Sequence, residues 1–395
     1  MRIRNLLLVS YDSVRADVAL SRGFPTLERL RRRGVTFENC VASAPLTPIS
    51  HASVMTGLQP YHHGIRHLFR ESLAPGCATL AERLRPHGFR SGGVVSCPGL
   101  NRWYEIGRGF DRWDDEIPRL PDGSDPLTLV DVKLRGQALK RAPLVADRGM
   151  GLLRDPAPRR LSFIHFFDAH WPYSPPAAVP GVAVQNEYEA EIAFLDASFG
   201  QVLDELEATG AVEDTLIVLF GDHGEDLGGS YANDHAGDAL GHPEENGHGC
   251  LLYDATIMVP LIFSHPSLGP RTVSEQVRLV DLAPTVLDLL GVGERHGMDG
   301  ESLADVVMGR APCRHRPAYS ETLYPREMVA STGQFGWIRD KKSVRYENRF
   351  KVISHLDSDV VEAYDLREDP CERANRLAPP DVPAPAIPVA PLPGA

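Results

Sequence analysis

Three short apolar runs, each closing on polar residues, set the expected architecture. Asn5 to Tyr11 runs into Asp12, Leu161 to Phe167 into Asp168 and His170, and Thr215 to Phe220 into Gly221, Asp222 and His223. Continuous apolar runs of this length, separated by helical patterns, predict buried parallel strands of a doubly wound α/β sheet. Ligands of such sheets bind beyond the carboxyl ends of the strands, so the polar groups fall on one rim. Between the second and third runs, Tyr188 to Ala208 places Ile192, Leu195, Phe199, Val202, Leu203 and Leu206 at helical spacing, and Gly210 ends it. Pro25 to Arg33, Cys77 to Leu84 and Asp281 to Gly291 are shorter helices of the same kind.

Past Pro312 the period changes. Segments around Tyr319, Gln334 to Ile338, Ser343 to Arg345 and Phe350 to Ile353 predict short strands between turns. They suggest a larger α/β domain over residues 1–311 and a smaller sheet subdomain over 312–377. The Pro/Ala-rich stretch 378–395 reads as a disordered tail.

Charge removes two partner classes. Forty-one basic against 53 acidic residues give a net charge of −12, which opposes general affinity for nucleic acid or anionic membrane while allowing a local site for a small anionic ester. The first apolar run is too short to span a bilayer and lacks a small-residue cleavage site before Asp12, so a cytoplasmic protein is expected. Cysteines 40, 77, 97, 250, 313 and 371 show no close pairing and are read as free thiols.

Asp12 and the Asp222-His223 pair lie half a chain apart but at the ends of strands expected in one sheet. Two carboxylates and an imidazole meeting there would hold one divalent cation, with the Thr47 oxygen as a further ligand. An aspartate at a strand end is by itself commonly a helix cap or turn former. The conjunction with the segment Ala44 to Gly57 strengthens the signal: Ser50 to Met55 reads as a short helix stopped by Gly57, and Thr47 stands just ahead of its positive end.

That segment, Ala-Pro-Leu-Thr-Pro-Ile-Ser-His-Ala-Ser-Val-Met-Thr-Gly, resembles the nucleophile motif of the sulfatase branch of the alkaline phosphatase superfamily. Ordered matches run from about residue 3 to residue 377, including Asp168-Ala169-His170-Trp171-Pro172-Tyr173, Gly247-His248-Gly249 and Val259-Pro260-Leu261-Ile262. The resemblance implies an alkaline-phosphatase-like core with a mostly parallel central sheet and a metal-assisted ester hydrolase. It assigns Asp12, Thr47, Asp222 and His223 to one divalent ion (manganese, calcium, magnesium or zinc, the first two preferred). It makes Thr47 the nucleophile, places His170 at the transferred group and puts His248 at the leaving-group side.

Departures from the family pattern bear on the substrate. The motif cysteine that becomes formylglycine is Thr47, and the proline and arginine two and four positions later are Ile49 and His51. The Gly-Lys-x-His segment is replaced within Gly88 to Pro98, and Asp12 is followed by Ser13 where many sulfatases pair two aspartates. Asp196 is followed at the fourth position by Gly200, where two-metal relatives carry histidine, so one cation is expected. His51 reads more readily as a satisfied helix residue than as a catalytic one. His62, His63, His235 and His242 read as surface or loop positions, and Gly228 to Asn246 as a mobile loop near the site.

An unmodified hydroxyl ranks phosphate or phosphonate esters, diesters included, as the first substrates, through a covalent phosphothreonine. Sulfate-ester hydrolysis, phosphotransfer or mutase chemistry, and a catalytically idle binding module are the competitors.

Overall fold

The computed structural model describes residues 3–120, 122–128, 139–176, 178–235, 246–293, 296–326 and 339–377. The Gln334 to Ile338 strand, His242, most of the Gly228 to Asn246 loop and the 378–395 tail lie outside the described residues.

Among the described residues, eleven strands precede the C-terminal sheet: β1 Asn5–Tyr11, β2 Gly34–Val41, β3 Arg90–Val94, β4 Arg112–Asp114, β5 Arg160–Phe166, β6 Thr215–Gly221, β7 Asp226–Leu227, β8 Asn246–Gly247, β9 Met258–Ser264, β10 Arg271–Val273 and β11 Val277–Arg278. Nine of them form the central sheet in the order β10-β2-β9-β6-β1-β5-β3-β4, with β11 also on β2. β1 lies between β5 and β6, parallel to both, as the three apolar runs predict. Strand β9 instead runs antiparallel to its neighbours β2 and β6. The β2–β9 register shifts where Pro260 stands, a residue with no N–H to give to the ladder.

Alternation explains why the central strands are apolar throughout. Leu6, Leu8, Leu161, Phe163, Leu216 and Val218 join the core on one face of the sheet. Leu7, Val9, Ile164, Phe166, Ile217 and Leu219 join a second core on the other face, so both faces are covered. The Glu187–Ala208 helix packs over the second core, capped by the Asn186 side chain and followed by Gly210 at φ 69°. The Thr47–Thr56 helix packs Ile49, Ala52, Val54 and Met55 into the first core. It begins at Thr47 itself, one turn earlier than expected, because Pro48 suits the first turn.

After the core come β12 Ala318–Thr322, β13 Lys341–Tyr346, β14 Phe350–His355 and β15 Val361–Asp365, an antiparallel four-stranded sheet. It joins the core through the Ser320 hydroxyl on the Ala42 carbonyl (2.6 Å) and the Lys341 ammonium on the Cys250 carbonyl (3.0 Å). Among the described residues no helix is long and apolar enough to cross a membrane.

Candidate active site

The register of β1, β5 and β6 builds the rim. Tyr11 stands opposite Phe166 on one side and Gly221 on the other, so the three strands end flush and Asp12, Phe167 and Asp222 emerge together. The Asp12 N–H closes the edge on the Phe166 carbonyl at 2.9 Å. The Thr47–Thr56 helix is fixed over this rim by the Ser50 hydroxyl, which donates to the Asp222 carbonyl at 2.6 Å.

Asp12, Asp222 and His223 come together, all buried, with potential ligand atoms within 4.8 Å of one another. Asp222 Oδ1 accepts the Ser13 and His223 N–H groups at 3.1 and 2.9 Å. Its Oδ2 has no hydrogen-bond partner and lies 3.4 Å from both His223 Nε2 and His51 Nδ1. His223 Nδ1 meets the Gly224 carbonyl at 3.0 Å, and a carbonyl can only accept, so Nδ1 carries the proton and Nε2 presents a lone pair. A buried, unsatisfied carboxylate oxygen beside such a lone pair fits a cation.

The electrostatics agree with that fit. Burial would raise Asp12, but the His165 hydrogen bond and the surrounding imidazoles hold it below the usual carboxylate range. Burial and the Asp12 charge push Asp222 well above it, since two buried carboxylates disfavour each other. Burial also keeps His223 neutral, the form in which it can bind a metal.

Thr47 is 7% exposed at the first position of its helix, and its Oγ1 lies 3.1 Å from Asp12 Oδ2 and 3.2 Å from His223 Nε2. All four residues assigned to the cation are therefore adjacent. His170 and His248 stand above them: the His248 ring centroid is 4.1 Å from that of His223 and 4.8 Å from that of His170. His170 is stacked on Phe167 at 4.2 Å, and His248 Nδ1 is held by Glu225 Oε1 at 3.0 Å. Burial depresses both imidazoles, His248 to about 4.

Other residues take supporting places. His51 contacts the Thr47 carbonyl through Nδ1 and Ser10 Oγ through Nε2, both at 2.8 Å, so it is a satisfied helix residue as expected. His63 is buried in a short helix, correcting its reading as a surface or loop position, and bonds Ser53 Oγ at 3.1 Å; His235 stands in a loop as expected but is buried, stacked on Tyr253 at 3.5 Å. Asp196 lies away from the rim, accepting the N–H groups of Thr26 and Leu27 at 2.8 and 3.0 Å. At its fourth follower, Gly200, a Cβ would meet Thr26 Oγ1 at 2.9 Å, so a larger side chain there would have to displace that hydroxyl.

Two residues missed in the sequence complete the rim. His165 Nε2 lies 3.0 Å from Asp12 Oδ2, while its Nδ1 accepts from Ser96. Cys97 joins Asp12 and His165 in a second group of potential ligands. The sequence shows only that His165 is a polar residue inside an apolar strand; its place opposite Ser10 of β1, which brings it to Asp12, comes from the strand register.

Comparison with known proteins places this geometry. The sulfatase family model matches residues 4–292, and the model of the N-sulphoglucosamine sulphohydrolase C-terminal region matches residues 248–383. An ulvan-active sulfatase of Formosa agariphila is 25% identical over 346 residues, covering 76% of this chain and 63% of that protein. A choline-sulfatase of Rhizobium meliloti is 29% identical over 196 residues, covering 48% of this chain and 31% of that protein. This chain thus spans less than two thirds of the length of either relative. Among solved structures, a protein in complex with its substrate D-glucosamine-2-N,6-O-disulfate superposes with a TM-score of 0.73 at 16% identity, covering 95% of this chain and 93% of that one. A phosphonate monoester hydrolase of Agrobacterium radiobacter gives 0.70 at 19% identity, covering 94% of this chain and 91% of that one. With its core matched from β1 through the helix that follows β11, and with an alkaline-phosphatase-like fold, the chain belongs to the sulfatase family.

Proposed function

We propose that this chain is a metal-assisted hydrolase of sulfuric esters in which Thr47 is the attacking oxygen. The carrying observation is the placement of Thr47 Oγ1 within hydrogen-bond reach of both Asp12 and His223, beside the unsatisfied oxygen of Asp222. The sulfatase relatives support sulfate as the transferred group and reverse the order that the unmodified hydroxyl suggests from sequence. A divalent ion held by Asp12, Asp222 and His223, with Thr47 beside it, would neutralise charge building on the nonbridging oxygens and lower the pKa of the hydroxyl.

The chain's own groups account for the remaining work. Asp12 Oδ2 accepts the Thr47 proton as Oγ1 bonds to sulfur, and the sulfur–oxygen ester bond breaks. His170, fixed by stacking on Phe167, faces the transferred group; His248 is neutral, and as its Nε2–H passes to the departing alcohol its Nδ1 takes the proton of Glu225, whose carboxyl burial raises to about 8. Water then attacks the same sulfur and its proton returns through His248 to Glu225, while the threonyl oxygen–sulfur bond breaks and Oγ1 takes back the proton held by Asp12, so that sulfate leaves and Thr47 is restored. Six cysteines without disulfides support a cytoplasmic setting.

A second reading has one specific observation behind it. Thr47 cannot form the aldehyde hydrate available to a modified cysteine, so breaking a threonyl ester needs a second attack at the central atom, which phosphorus accommodates as readily as sulfur. Turnover of sulfate monoester, phosphate monoester, phosphonate monoester and phosphodiester forms of one alcohol decides the matter. The proposal expects the sulfate to have the highest kcat/KM; a phosphorus ester in first place establishes the second reading, and no turnover of any with added metal removes both.

A further inference from the structure

Asp12 belongs to two groups of possible ligands, and the second differs from the first in its chemistry. Asp12, His165 and Cys97 are all buried, and a carboxylate oxygen, an imidazole nitrogen and a thiol sulfur lie within 4.8 Å of one another. The two Asp12 oxygens have different surroundings. Oδ1 accepts the Ser13 hydroxyl at 2.8 Å and lies 4.0 Å from His223 Nε2, whereas Oδ2 lies 3.0 Å from His165 Nε2. Cys97 also lines, with Thr47, His170 and His248, a cavity of about 320 Å³ whose walls include the exposed rings of Phe69 and Trp171, which gives an ion a path to the sulfur.

The spacing suits a small tetrahedral ion. Ligand atoms about 2.0–2.3 Å from zinc stand roughly 3.3–3.8 Å apart. The 3.0 Å between His165 and Asp12 and the 4.8 Å limit on the whole group bracket that value. Each ligand also has its support. His165 Nδ1 lies 3.1 Å from Ser96 Oγ, which itself donates to the His165 carbonyl at 2.8 Å. An ion on Nε2 takes the place of the hydrogen there, and that proton moves to Nδ1, where Ser96 Oγ accepts it. The Gly99 and Leu100 N–H groups reach the Cys97 sulfur and favour its thiolate, whose proton leaves to solvent as the sulfur–metal bond forms.

We propose that Asp12, His165 and Cys97 form a second cation site, selective for thiophilic divalent ions such as zinc, and that filling it stops the reaction at Thr47. Selectivity follows from the donors: Asp12, Asp222 and His223 offer only oxygen and nitrogen, whereas the second group adds a thiolate. Inhibition follows from Asp12 Oδ2, which takes the Thr47 proton and would instead be bound to the ion. That part rests on the ester-hydrolase reading; the site itself does not.

Cobalt(II) is titrated into the full chain, since a thiolate ligand gives it a sulfur-to-metal charge-transfer absorption, and bound metal is counted by elemental analysis after desalting. The unaltered chain is expected to hold two ions, the second bringing in the absorption, and Cys97→Ser and Cys97→Ala one ion without it. X-ray absorption of the zinc-loaded unaltered chain needs no variant and should show one sulfur neighbour for every two ions. A single ion in the unaltered chain, no sulfur signature, or a signature that survives in both variants overturns the site. Turnover is then followed with manganese as the activating ion while zinc is added. Zinc should slow the unaltered chain about tenfold or more and Cys97→Ser less than about twofold. Equal slowing of both, or none in the unaltered chain, overturns the inhibition. Two ions with the sulfur signature and no ester turned over uphold the site and remove the hydrolase reading, whereas turnover by a chain that holds only one ion does the reverse.

Discussion

Thr47 has one proton and two acceptors, Asp12 Oδ2 and His223 Nε2, and no other hydroxyl of its helix occupies the same place. Ser50 is committed to the Asp222 carbonyl and Ser53 to His63. Thr47→Ala is therefore expected to lower kcat/KM by about three orders of magnitude or more. Metal content by elemental analysis should stay near that of the unaltered chain, because Asp12, Asp222 and His223 remain. Thr47→Ser, which keeps the oxygen and loses rotamer restriction, should retain a measurable fraction. An active alanine variant would assign the attack to water. His165 acts through Asp12: Ala in its place leaves Asp12 Oδ2 short of a donor, and metal affinity should fall about 10–100-fold, measured by competition with a chelator. Unchanged affinity in His165→Ala would reduce that residue to packing. Asp12, Thr47, Asp222 and His223 were legible because each belongs to a recognisable local motif. His165 was not, since its meaning comes from the register between β1 and β5, and register is a tertiary fact.

At the scale of elements, one buried carboxylate ties two helices together. Asp196, on the Glu187–Ala208 helix, accepts the Thr26 and Leu27 N–H groups at the start of the Pro25–Arg31 helix and the Tyr11 hydroxyl at 3.3 Å. The Pro25–Arg31 helix has no side-chain cap from its own segment, so this contact from another helix satisfies its orphan donors. Asp196→Ala leaves buried donors unpaired and should cost about 2–4 kcal/mol in urea denaturation, at roughly 1–3 kcal/mol for each group that stays unsatisfied. Activity measured well below the unfolding transition should persist; a variant as stable as the parent would show that water replaces the carboxylate. The long helix and the three central strands were readable from period and length. The antiparallel course of β9 was not, because an apolar run of seven residues carries no sign of direction. Strand β15 was overlooked for a related reason: half-buried between turns, Val361–Asp365 alternates too briefly to stand out.

Across the whole molecule, the C-terminal sheet reaches the rim through a buried charge cluster. Asp254 accepts Lys351 of β14 at 2.9 Å and Arg345 of β13 at 3.0 Å, and Lys351 also pairs with Glu372 at 2.7 Å. Asp254 opens the Asp254–Ile257 helix, whose Ala255 and Thr256 carbonyls accept the N–H groups of Glu225 and Gly224 at 3.0 and 2.9 Å. The approach is so close that a Cβ on Gly224 would lie 2.0 Å from the Ala255 oxygen, so glycine is required there. Thus the sheet positions the loop that carries His223 and the Glu225 partner of His248. Burial would raise Asp254, but Arg345 and Lys351 more than offset it and hold the carboxyl below its usual range. An unfolded aspartate titrates near ~3.9, so the stability from this depressed pKa is complete above that value and lost as pH falls towards the folded one. Lys351→Met leaves Asp254 and Glu372 short of a buried partner and should cost about 3–5 kcal/mol near neutral pH. It should also flatten the acid limb of the stability–pH curve, since Asp254 would then titrate nearer its unfolded value. If the loop is positioned as described, the folded variant should further show a lower kcat with a smaller change in KM, because the described lining of the cavity above Thr47 comes, His248 apart, from other segments. A variant with unaltered stability and acid limb would mean that the cluster is no more than incidental, and that the rim is held by the central sheet alone.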